Sequence, residues 1–167
     1  MHHFQYHYTR ELAFSAILIA FFSVLRVVLY PLIGGNPTFV LLILIASFLS
    51  RRIALFSSIG FYIVTGFFLG FGIWVAFQIL AMSIIVCISA SLPKKKIYFC
   101  LFGVASAFIY SFVMLFSALP FVPLDAMPAY IIAGLPNDFA RAATNFLYMS
   151  VLYRDSFLSL LTKYTPR

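Results

Sequence analysis

Of the 167 residues, 64% are hydrophobic and only 9% charged, where a soluble domain carries about 45–50% and about 25%. That composition excludes a water-soluble domain, and 21 Phe with 10 Tyr exclude a disordered chain. The formal charge of +7 comes from eleven cations dealt out between apolar runs, which excludes a nucleic-acid binder and leaves an all-α integral membrane protein.

Six apolar runs follow one another, and we read them as one membrane domain over 1–167. The first spans 12–29 and closes at Tyr30-Pro31 and the turn cluster Gly34-Gly35-Asn36-Pro37. The second, 38–49, is short and stops at Arg51-Arg52; the third, 53–69, ends at Gly70-Phe71-Gly72. The fourth, 73–92, ends at Pro93 and Lys94-Lys95-Lys96, and the fifth, 97–119, at Pro120 and Pro123. The sixth covers 129–152, with an amphipathic tail from Ser156 to Leu161 behind it. The runs are continuous rather than alternating with period two, so helices are expected, not a barrel.

Cations orient such a bundle, because short cytoplasmic loops are enriched in Lys and Arg. Arg10 precedes the first run; Arg51 and Arg52 lie between the second and third, and Lys94 to Lys96 between the fourth and fifth. Arg154, Lys163 and Arg167 follow the sixth, whereas the other three connections hold no cation and the last of them carries Asp125. The expectation is six crossings of the plasma membrane with both termini cytoplasmic. Arg26 interrupts the first run and no small-residue cleavage site closes it, so this run reads as a retained span and not a signal peptide. Cys87 and Cys100 fall near that cytoplasmic side and read as buried free thiols. His2, His3 and His7 fall in the N-terminal tail, and neither metal nor cofactor is expected.

Charge inside hydrocarbon costs at least ~2.5 kcal/mol and is tolerated mainly where it faces protein or water. Arg26, Asp138 and Arg141 are the three such residues. At about 1.5 Å of rise per residue, all three fall in the outer half of the bundle. In the sixth run Gly134, Asp138, Arg141, Asn145 and Tyr148 are spaced by 4, 3, 4 and 3, which places them on one stripe. Trp74 and Gln78 in the fourth run and Asn36 in the first external loop are expected at the same level. Convergent polar groups with aromatic walls describe a ligand site. The expected contacts are therefore Arg26, Asn36, Trp74, Gln78, Asp138, Arg141 and Asn145. The plainer alternative is that Asp138 and Arg141 neutralise one another as an i,i+3 pair while Arg26 snorkels outward. Against it, two arginines share one carboxylate, and the surplus charge favours a ligand with acceptor groups. In the first run Ala13, Ala16, Ala20 and Ser23 recur at 3, 4 and 3, a smooth face of the kind that lets helices approach closely.

The stretch from Ala133 to Asn145, AGLPNDFARAATN, resembles the last-helix signature of substrate-binding S components of energy-coupling factor (ECF) transporters, which are vitamin-uptake ABC importers. Ala16-Ile17-Leu18-Ile19-Ala20 is similar to the alanine motif of that family's first helix, and size and span number fit along the whole chain. The resemblance implies that the Ala13, Ala16, Ala20 and Ser23 face docks on a transmembrane scaffold subunit driven by two cytoplasmic ATPase subunits. It also implies a vitamin-like ligand held near the outer face by the first external loop and helices four to six. Many relatives carry an aromatic residue where Asn137 stands and a histidine where Arg141 stands, so the ligand's identity does not transfer. No phosphate-binding loop is present, so active import needs a partner's energy. The alternative reading is a stand-alone secondary transporter or channel with Asp138 as an ion or proton site. An enzyme is not expected, since no His, Cys or paired carboxylates converge at one depth.

Overall fold

A computed structural model describes residues 2–29, 36–154 and 159, with the side chains of residues 2–8 left aside. The three histidines' side chains, Gly34, Gly35, Lys163, Arg167 and all of the 156–161 tail but Ser159 lie outside the described set. Among the described residues the chain is all-helical, with six helices: α1 (His2–Leu29), α2 (Thr38–Phe48), α3 (Arg51–Leu69), α4 (Ile73–Ser89), α5 (Lys96–Ala118) and α6 (Met127–Leu152). Helix α1 begins ten residues before the apolar run does, because residues 2–11 contain no Gly or Pro to interrupt it.

The helix ends follow from local chemistry. Asn36 Oδ1 accepts from the Thr38 amide at 3.0 Å, and from the Thr38 hydroxyl, which satisfies the start of α2. Only Leu49 and Ser50 separate α2 from α3, and the Ser50 hydroxyl accepts from the Ile53 amide. Gly70 ends α3 at φ 101°, a conformation that a side chain would resist. Helix α4 stops at Ser89, short of the expected residue 92: the Ser91 and Leu92 amides donate to carbonyls three residues back, at 3.1 and 3.2 Å. The turn has tightened ahead of Pro93, whose ring disfavours helical backbone before it.

Helix α2 is the axis of the bundle. Thr38, Phe39, Val40 and every residue from Leu42 to Ala46 are buried, and the helix touches all five others. A helix that is apolar all round belongs inside a protein. Around it the neighbours pack in the order α1, α3, α4, α5, α6. The seam between α1 and α3 is tight: Ile19 lies where a Cβ on Gly60 would have to go. Buried hydroxyls of Ser58, Thr65, Ser89, Ser106 and Ser117 donate to carbonyls three or four residues back, so they need no solvent.

Three helical segments are long and apolar enough to cross a membrane: Thr9–Leu29, Arg51–Leu69 and Lys96–Ala118. Helix α2, with 11 residues, is about 16 Å long, half of a hydrocarbon core of about 30 Å. Helix α4 has 17 residues. Helix α6 has 26 residues, but its polar stripe leaves it less apolar than those three. Large side chains cover the outside, with Phe67 at 78% and Phe68 at 72% exposure. In water such a surface would aggregate; against lipid it is stable.

Candidate functional site

Two different surfaces meet in α6. From Met149 back to Ala142 the helix leans on the bundle, and Ala142, Asn145 and Met149 are buried. From Arg141 back to Met127 no residue is buried. Pro136 sits inside this second half and cannot donate to the Ile132 carbonyl four residues earlier. The result is a cavity of about 610 Å³ between α5 and the first half of α6, reaching Gln78 of α4. Its polar wall holds Gln78, Tyr110, Ser111, Asn137, Asp138 and Arg141, while Phe108, Phe112, Met114, Leu115 and Ile131 form an apolar wall. This size and mixture suit a small organic ligand.

The charged groups are held in place rather than left to solvent. The Ser111 hydroxyl donates to Asp138 Oδ1 at 2.5 Å, and Arg141 Nη1 reaches Ser111 Oγ at 3.5 Å and Asp138 Oδ1 at 3.8 Å. The Arg141 guanidinium also lies 5.0 Å from the centre of the Tyr110 ring, within cation–π range. Both side chains retain some accessibility, 23% for Arg141 and 16% for Asp138, so the pair is partly dry and still reachable. Side by side, the carboxylate offers an acceptor and the guanidinium offers donors. A ligand edge with one donor and one acceptor would satisfy both.

Arg26 lies on the far side of Gln78. Its Nη2 donates to Gln78 Oε1 at 3.2 Å, and its guanidinium lies 4.7 Å from the Tyr62 ring centre and 5.6 Å from that of Phe61. Gln78 and Tyr110 line the same cavity. Arg26 therefore touches one lining residue, Gln78, and Arg141 stacks on another, Tyr110. The expectation that both arginines share Asp138 is corrected: Asp138 partners Arg141 and Ser111, whereas Arg26 has an amide and two aromatic faces. Its Nη1 is buried without a hydrogen-bond partner. Arg26 acts on the cavity through the Gln78 carbonyl and does not line it.

The remaining expected contacts lie elsewhere. Asn36 is occupied in capping α2, as described above. Trp74 is exposed and lies over Gly72, where its ring fills the space a Cβ would need. Asn145 is buried, and its Nδ2 donates to the Gly103 carbonyl at 3.1 Å and Ser106 Oγ at 3.3 Å, clamping α6 to α5. Gly134, Asp138 and Arg141 do share the cavity face of the stripe, while Tyr148 packs against the core. The partners on α5, Tyr110 and Ser111, were not singled out from the sequence. Their signal was a pair of adjacent hydroxyls in the middle of a mostly apolar run.

On α1, Ala13, Ala16 and Ala20 are exposed, whereas Ser23 is buried and leaves that surface. Cys100 is buried as expected, with its Sγ 3.7 Å from Ser150 Oγ; Cys87 is exposed instead. Compared with protein-family models, with curated proteins and with solved structures, the chain finds no match.

Proposed function

We propose that the chain is the membrane-embedded substrate-binding subunit of an ECF-type ABC importer. It captures a vitamin or cofactor precursor at the outer face and delivers it inward by toppling on a scaffold subunit. In this reading it crosses the plasma membrane six times, with both termini in the cytoplasm. Helix α2 can be short because protein, not lipid, surrounds it. The observation that carries the reading is the cavity between α5 and α6, with Asp138, Arg141 and Ser111 tied together on its wall.

The scaffold subunit, itself driven by two cytoplasmic ATPases, would dock on the exposed Ala13, Ala16 and Ala20 of α1. That helix packs chiefly on α3 and leaves its small residues free for close approach. Ala16→Trp is expected to abolish co-purification with an ATPase pair while leaving ligand affinity unchanged. Loss of both together would mean that the face packs within the chain.

The binding reading is tested by thermal shift and native mass spectrometry of the purified chain against water-soluble vitamins. One compound is expected to bind and raise the melting temperature. A panel without a single binder would overturn the reading. A stand-alone transporter is the second reading, favoured by the position of Asp138 on the cavity wall. Uptake into liposomes by the lone chain without ATP, abolished by Asp138→Asn, would establish it in place of the first.

A further inference from the structure

The opposite end of α5 and α6 carries a second feature that the cavity does not use. Here the ends of α2, α4, α5 and α6 meet around three rings. Phe48 lies 5.4 Å from Phe99 and 5.8 Å from Tyr153, and Phe99 lies 5.2 Å from Tyr153, centre to centre. The Ser47 hydroxyl donates to the Ser89 carbonyl at 2.7 Å, fixing the end of α2 against that of α4. Lys94 Nζ stands 5.5 Å from the Phe48 ring centre. Arg51, Arg52, Lys94, Lys95, Lys96 and Arg154 surround this aromatic floor, and all six are exposed. Among the described residues, no carboxylate forms an ion pair with any of them.

A basic rim with no carboxylate partner among the described residues calls for an anion, and the neighbouring surface says which kind. Directly beside the lysines, α5 exposes Ile97 at 57% and Leu101 at 58%, with Tyr98 between them also exposed. The cations therefore stand where lipid-facing apolar surface begins, with aromatic rings at the same level, as at a membrane interface. A soluble acidic protein would meet the charges but leave the apolar flank uncovered. A phospholipid meets both, its phosphate on the cations and its acyl chains along Ile97 and Leu101. We infer that this end of the bundle is a binding surface for anionic phospholipid, with Lys94, Lys95, Lys96 and Arg154 holding the headgroup.

The proposal does not depend on what the cavity binds, and it is tested without any cavity ligand. The purified chain is equilibrated in micelles containing equal amounts of phosphatidylglycerol and phosphatidylcholine, washed in lipid-free detergent, and the retained lipids are quantified. Each cation near an anionic surface contributes roughly five-fold, so phosphatidylglycerol should be retained in at least about ten-fold excess. The excess should fall towards parity in the Lys94→Gln, Lys95→Gln, Lys96→Gln triple variant. It should also fall when the wild-type chain is washed at about 1 M salt, where screening shortens to about 3 Å; that measurement serves if the triple variant does not fold. Equal retention of the two lipids by the wild-type chain would overturn the proposal. So would an excess that survives both the substitutions and high salt. Retention of poly-glutamate but not of phosphatidylglycerol would assign the surface to an acidic protein and overturn it too.

Discussion

Helix α2 and the first half of α6 make opposite uses of the same bundle. In α2, nearly every side chain is enclosed by neighbouring helices, and the two polar residues there, Thr38 and Ser47, are satisfied by Asn36 and by backbone carbonyls. In α6 from Met127 to Arg141, nothing is fully buried, a proline breaks the hydrogen-bond ladder, and a charged pair lines a cavity. The difference separates two tasks. The axis supplies close packing, on which stability inside a membrane depends, since lipid offers little hydrophobic drive between helices. The loosely covered half-helix supplies polar groups that stay reachable beside their protein partners, and those groups are available to a ligand.

Substitutions should divide along that line. The largest stability effect is expected in the axis: Leu44→Ala removes a fully buried side chain and should cost about 2–5 kcal/mol. Ile131→Ala, in the cavity wall and partly exposed, should cost less than about 1 kcal/mol. Unfolding in mixed detergent micelles compares the two, and equal losses would erase the distinction. Next in size, Arg141→Ala and Asp138→Ala should each weaken ligand binding about ten-fold or more, equivalent to about 1.4 kcal/mol, with melting temperature little changed. A smaller effect should couple Arg26 to Gln78. In calorimetric titrations, Arg26→Met and Gln78→Leu together should weaken binding less than the sum of the separate losses, by about 0.5 kcal/mol or more. Additive losses would mean that Arg26 acts on the ligand by another route. Trp74→Ala, away from the cavity, should leave affinity unaltered in the same titration.

Much of the bundle was legible in the residues themselves. Apolar runs between Gly, Pro and cation clusters mark all six helices, and the basic residues mark one end. The spacing of Gly134, Asp138 and Arg141 places them on one face, because helical periodicity is local. What could not be read was partnership across helices. Nothing near Arg26 points to Gln78, 52 positions away, and nothing near Asp138 points to Ser111, 27 positions away. Asn36 and Trp74 were expected at the level of the site, but level alone does not give direction. Asn36 turned to the nearest orphan amide, and Trp74 to the space above a glycine. The N-terminal extension of α1 was missed for another reason: its first ten residues are helix-compatible without being apolar, and only the apolar pattern was followed.

The central claim is that a ligand occupies the cavity between α5 and α6, and site-directed labelling tests it most directly. In a Cys87→Ser, Cys100→Ser background, Gly134→Cys places a thiol in the cavity wall and Trp74→Cys places one outside it. Each is labelled with a maleimide in the presence and absence of whichever vitamin raises the melting temperature. The account predicts that the vitamin slows labelling at position 134 and leaves position 74 untouched; protection at 74 with none at 134 would contradict it.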